Sequence, residues 1–129
     1  MRLHLTKNDL EESVRSKVIA LLGSTLADCI DLQTQTKQAH WNIKGPEFIA
    51  LHKLFDEIND GVEEYVDTIA ERAVQRGGTV EGTARVVAAK SSFPEYPLTI
   101  TTGRDLEHFA GILFHQDRLT GAGEKPWVR

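Results

Sequence analysis

Apolar positions recur three and four residues apart through "KNDLEESVRSKVIALLGSTLADCIDLQTQTKQAHWNIKG". Leu10, Val14, Val18, Leu21 or Leu22, Leu26 and Ile30 therefore share one side of a helix with 3.6 residues per turn. Asn8 with Glu11 three residues later reads as a capping pair, so a first long helix is predicted from there to about Asn42. Gly45 can take the left-handed turn after a helix, and Pro46 suits the first position of the next. A second long helix is predicted from about Pro46 to Arg76, closed by Gly77 and Gly78. Each helix has about 30 residues, or roughly 45 Å, and the short connection between them predicts an antiparallel hairpin.

Beyond the double glycine, "VEGTARVVAAKS" predicts a brief helix and "SFPEYPLT" a proline-broken loop. A third, shortened helix is predicted from Thr102, with Asp105 as its capping partner, through "LEHFAGILFHQDRL". "TGAGEKPWVR" has the glycines and proline of a loop, which leaves no sequence for a fourth long helix. The pattern predicts an all-α single domain over 1–129, built as a helical bundle, with no repeat and no linker.

Composition narrows the function classes. The 129 residues are 40% hydrophobic and 26% charged, ordinary values for a chain that buries a core. A net charge of -4 gives no global attraction to phosphate backbones, so DNA contact would need a local basic segment. The N-terminal segment offers only Arg2 and Lys7, the C-terminal one Arg118, Lys125 and Arg129. No apolar run approaches the roughly 18 residues of a membrane span, and no secretory signal precedes the first helix, so a cytoplasmic location is expected. The single cysteine, Cys29, reads as a small core residue.

The candidate chemistry lies on the second helix. At 100° per residue, with His52 at zero, Asp56 falls near 40°, Asp67 near 60° and Glu71 near 100°. An acid on a helix is usually solvated, and a His beside Trp is usually a packed core group, but two such pairs spaced four apart on one face point to metal. Asp56 and Asp67 are about 16 Å apart along the axis, too far to share an ion bound at about 2 Å. Positions 52 and 71, and 56 and 67, are each symmetric about the bond between Gly61 and Val62. Two copies packed antiparallel about a two-fold axis would bring His52 and Asp56 of one to Glu71 and Asp67 of the other, making two equivalent sites. Gly61 at the crossing would let the backbones approach closely. His40, at the end of the first helix, completes a set of two imidazoles and three carboxylates that suits iron, with zinc and manganese also fitting.

"HWNIKGPEFIALHKLFD", from His40 to Asp56, resembles the first signature of the Dps family of ferritin-like mini-ferritins, the DNA-protection-in-starvation proteins. That signature reads His, Phe or Trp, any, aliphatic, any, Gly, five residues, aliphatic, His, three residues, acid. "VDTIAERA", from Val66 to Ala73, resembles the second, which Arg76 and Val80 then leave. The resemblance runs from about Leu5 to Gly103 and fades, so a C-terminally truncated or divergent member lacking the fourth long helix is expected.

The resemblance implies a ferritin-like fold and an intersubunit ferroxidase centre made of His40, His52 and Asp56 with the partner's Asp67 and Glu71. It implies oxidation of Fe(II) by hydrogen peroxide, iron storage in a shell of twelve subunits, and protection of DNA, with a nucleoid location if DNA is bound. Trp41 is similar to the family's site tryptophan, a candidate electron donor as well as a packing residue. Glu63, near 20°, and Asp60, near 80°, share the ligand face and read as salt-bridging acids before iron-transit ones. Asp105 with His108 is a weaker metal pair. An ordinary di-iron ferritin would show Glu-x-x-His pairs, and the sequence has none. The remaining alternative is a non-catalytic helical assembly or DNA-associated protein with an idle metal site.

Overall fold

A computed structural model of the chain describes residues 2–119, with side chains described through residue 111. The order is α1 (Glu12–Asn42), α2 (Phe48–Gln75), α3 (Ala84–Lys90) and α4 (Gly103–Leu119), and no strand occurs among the described residues. The all-α architecture expected from the apolar pattern is the one found. The segment expected to be loop after the third helix lies outside the described residues.

The start of α1 differs from the expected capping box. Asn8 Oδ1 accepts from Leu10 N at 2.9 Å, an Asx turn ahead of the helix, while Glu11 stands at the N-cap with no side-chain cap bond. At the hairpin, Gly45 adopts φ 95, as its position demanded. Pro46 sits in the following turn, in which Phe48 N donates to Gly45 O, so α2 opens two residues later than expected.

Where α2 ends, Gly77 N donates to Val74 O at 2.9 Å and Gly78 N to Ala73 O at 3.0 Å. With φ 89 at Gly77 this is a Schellman stop. The N-terminal segment lies across that end. His4 N donates to Gly77 O, Thr6 Oγ1 to Gln75 O and Arg15 Nη1 to Arg76 O, so three carbonyls at the end of α2 and just past it are satisfied by residues 61 or more positions away.

The core is a narrow seam. Ile19, Leu26 and Ala27 of α1 are buried, as are Ala73 of α2 and Val87 of α3, while Ala39, Ile43 and Ile100 close the hairpin end. α3 begins with Thr83, whose hydroxyl accepts from Val86 N. The connection that follows is pinned to α1: Ser91 Oγ donates to Asp31 Oδ2 at 2.6 Å and Ser92 N to Asp28 Oδ1 at 2.7 Å. Lys44 N donates to Thr101 O, fixing the approach to α4 beside the hairpin tip. There Asp105 Oδ2 accepts from the amides of Thr101 and Thr102 while Thr102 Oγ1 accepts from Asp105 N, the capping box expected at this position.

Candidate metal centre

The Gly45 turn folds the C-terminal end of α1 against the first turns of α2, which brings His40 and His52 face to face. Their rings stack with centroids 3.6 Å apart and planes inclined by 22°. His40 Nδ1 donates to His52 O at 2.7 Å, and His52 Nδ1 donates to His40 O at 3.0 Å. The second bond has a local cause. His40 O belongs to the last turn of α1, and the amide that would ordinarily reach it, on Lys44, donates to Thr101 O instead. Because a carbonyl only accepts, each neutral ring carries its proton on Nδ1 and keeps a lone pair on Nε2. This is how metal-binding imidazoles are held by their surroundings.

Asp56, one turn beyond His52, joins them: its Oδ1 is 4.0 Å from His40 Nε2. The same oxygen accepts from Lys37 Nζ at 2.5 Å. The Lys37 hydrogen bond, with smaller help from its charge, holds the Asp56 carboxyl below the usual carboxylate range against some desolvation. Sequence reading missed Lys37. Its position three residues before His40 was the available signal, since it puts the ammonium on the same side of α1 and opposite Asp56.

Asp67 and Glu71 are exposed on α2, about three and four turns beyond Asp56. The chain thus brings together His40, His52 and Asp56 and leaves the other two acids apart, and no three His, Cys, Asp or Glu side chains among the described residues form a preformed metal cage. Gly61 does not share the ligand face. It falls near 180° on the helix, about 130° from the centre of the ligand face, because the sequence midpoint lies half a turn out of phase with that face. A Cβ at Gly61 meets nothing within 4 Å. The residues nearest the midpoint on the ligand face are Asp60 and Glu63, both exposed.

Asp105 is engaged by the α4 cap, not by His108. Trp41 is 69% exposed beside His40, flanking a depression lined also by Lys37, Gln38 and Asn59. Cys29 is half-buried, and desolvation, followed by the charge of Asp28, pushes its thiol up. None of the described helices is long and apolar enough to cross a membrane.

Residues 19–121 match the family model described as a ferritin-like domain. A "DNA protection during starvation protein" of Agrobacterium fabrum is 48% identical over 100 residues, covering 78% of this chain and 62% of that protein. A Dps structure from Mycobacterium smegmatis superposes with a TM-score of 0.72 at 30% identity, covering 77% of this chain and 60% of that one. DpsC of Streptomyces coelicolor gives 0.71 at 32% identity, with 74% and 55% covered. The chain spans about three fifths of the length of the first of these relatives. On the match across residues 19–121 and the likeness in both sequence and fold, the chain belongs to the ferritin-like family and, within it, to the Dps proteins.

Proposed function

We propose that the chain is a subunit of a peroxide-consuming ferroxidase whose centre lies between two copies related by a two-fold axis. His40, His52 and Asp56 of one copy and Asp67 and Glu71 of the other bind Fe(II) as substrate. The observation that carries this reading is the reciprocal bonding of His40 and His52, which leaves both Nε2 lone pairs free beside a carboxylate held ionised. Each of two closely held Fe(II) ions gives up one electron. The O–O bond of hydrogen peroxide takes both and is cleaved to two hydroxides, so no hydroxyl radical is released. Oxygen donors favour the harder ferric product, and the hydroxides supply the start of an oxyhydroxide mineral. Iron storage in a closed shell, and protection of DNA of the kind named in the Agrobacterium relative, follow from this chemistry, in the cytoplasm or at the nucleoid.

The test is stopped-flow oxidation of Fe(II) by hydrogen peroxide. The rate is expected to fall by more than about tenfold in His52→Ala and in Asp56→Asn, since loss of a partner of a metal ligand alone costs 10–100-fold. An unchanged rate in both variants would sink the reading.

One observation favours a second reading, a helical assembly associated with DNA whose metal residues are idle: Lys37 Nζ already occupies Asp56 Oδ1. DNA retention in chelator, with no iron turnover, would select it.

A further inference from the structure

α1 stops where Ile43 turns extended, at φ -67 and ψ 142. Ile43 is itself a residue that a helix accepts, so the stop has another cause. The turn at Ile43 carries the amide of Lys44 away from His40 O and onto Thr101 O, at 2.7 Å. One more residue of helix would return that amide to His40 O, its ordinary acceptor four positions back. His40 O is also the carbonyl to which His52 Nδ1 donates, at 3.0 Å. A carbonyl has two lone pairs, but a helical Ile43 would swing ψ to about -42° and redirect the chain that leads into α2, taking His52 out of line. The stop of α1 and the proton position on His52 therefore depend on the same bond, the one that Thr101 O accepts.

Thr101 belongs to the strap between α3 and α4, and Asp105 holds that strap. Asp105 Oδ2 accepts from Thr101 N at 3.1 Å and from Thr102 N at 3.0 Å, while Asp105 N donates to Thr102 Oγ1 at 3.2 Å. The strap lies against the hairpin turn. A Cβ at Gly45 would meet Thr102 Cγ2 at 3.4 Å, and one at Gly103 would meet Glu47 Oε2 at 3.2 Å. Ile100, the residue before Thr101, is buried at the same end as Ile43. A linked series of bonds thus runs from Asp105 through Thr101 to Lys44, whose diverted amide leaves His40 O to His52.

We propose that Asp105 is a positioning residue of the metal centre: by fixing Thr101 it draws the Lys44 amide off His40 O, and so keeps the His52 proton on Nδ1 and the Nε2 lone pair free for metal. Its consequence for metal binding rests on the ferroxidase reading above and deepens it, since the cap of α4 gains a task beyond starting a helix. A neutral imidazole whose Nδ1 loses its acceptor spreads its proton over both nitrogens, and the fraction protonated on Nε2 has no lone pair there to give.

The experiment is solid-state 15N NMR of the full, metal-free chain labelled at histidine, at about pH 8 where imidazoles are neutral, with the spectrum of His52→Ala identifying the His52 signals. The unaltered chain is expected to show His52 as the Nδ1–H form. Asp105→Ala is expected to add a signal for the Nε2–H form. Calorimetry with Zn(II) should then show binding weakened about three- to tenfold, short of the 10–100-fold that loss of a direct partner of a metal ligand costs. Adding Lys44→Pro is expected to reverse both changes, because proline has no amide to return to His40 O and keeps the residue before it extended. Asp105→Asn retains an acceptor and is expected to match the unaltered chain. Thr83→Ala removes the cap of α3 and is expected to leave His52 unchanged. Circular dichroism checks the helices, and if Asp105→Ala does not fold, Thr102→Ala makes the same comparison. An unchanged His52 spectrum in the cap variant overturns the proposal, as does an equal change in Thr83→Ala or no reversal by Lys44→Pro. Peroxide kinetics separate the two readings. A chain with the expected spectra that oxidises no Fe(II) keeps the positioning role and removes the ferroxidase.

Discussion

Lys37 Nζ stands 2.5 Å from Asp56 Oδ1, so the carboxylate that would face an incoming Fe(II) ion is already neutralised by an ammonium from the neighbouring helix. Metal must displace that ammonium or share the carboxylate with it. Removing it in Lys37→Met is expected to return the Asp56 carboxyl toward the ordinary aspartate value of about 3.9 and to tighten divalent-metal binding. Carboxyl NMR titration follows the first effect and calorimetry with Zn(II) the second. Weaker binding in the variant would make Lys37 an organiser of the site instead of a competitor.

The same pair has a signed pH dependence. A carboxyl whose folded-state value is depressed stabilises the fold fully above its unfolded-state value, and loses that contribution as pH falls through the lower, folded one. The Lys37–Asp56 contribution is therefore expected to be constant at neutral pH and to decline once pH falls below about 3.9, vanishing only below the lower folded-state value. Denaturant melts of the unaltered chain and Asp56→Asn should differ at pH 7, and the difference should shrink steadily as pH is lowered below about 3.9.

The cap of α4 obeys the same sign for a different reason. Asp105 is held low by hydrogen bonds from the amide of Thr101 first and from Thr102 next. Thr102→Ala removes the other half of the box and is expected to cost about 1 kcal/mol of local helix stability, read as faster amide exchange in the first turn of α4. Acidification should give the same local opening in the first turn of α4. Uniform loss of protection across all four helices would mean that this cap is coupled to the whole fold.

Two glycines of α2 and its stop are expected to behave oppositely. A Cβ at Gly77 would stand 2.6 Å from His4 O with φ at 89, so Gly77→Ala is expected to destabilise by about 1–3 kcal/mol. Gly61 lies mid-helix with open space around it, so Gly61→Ala is expected to stabilise by about 0.5–1 kcal/mol. It should also leave peroxide-dependent iron oxidation unchanged, because Gly61 does not share the face of His52. A large loss of oxidation in Gly61→Ala would put the crossing of two copies on the opposite side of α2.

Helix identity was legible because α1 and α2 are long and periodic, and because Gly45 and Gly77 mark turns that only glycine takes easily. The start of α1 was less so, since Asn8 and Glu11 match a capping box whose geometry the chain does not adopt; Asn8 bonds two residues ahead and closes a turn instead. His40, His52 and Asp56 could be read as a group because the hairpin turn is short enough to bring the end of one helix onto the start of the next. Lys37 escaped because its spacing from His40 gives its side of α1 but not, without the packed pair, which acid of α2 it meets. Gly61 was read from a midpoint along the chain, and the helical angle adds that this residue faces away from His52.

Residues 4 to 15 hold the far end of the hairpin shut by donating to the carbonyls of Gln75, Arg76 and Gly77. A segment fastened in this way is a brace, and a brace does not trail as an arm. Lys7 lies within it, so its ammonium is presented at a fixed place on the protein surface, with Arg2 just outside the brace. Any polyanion that Lys7 meets must come to it, and a swap of His4 or Thr6 that loosened the brace would lengthen its reach.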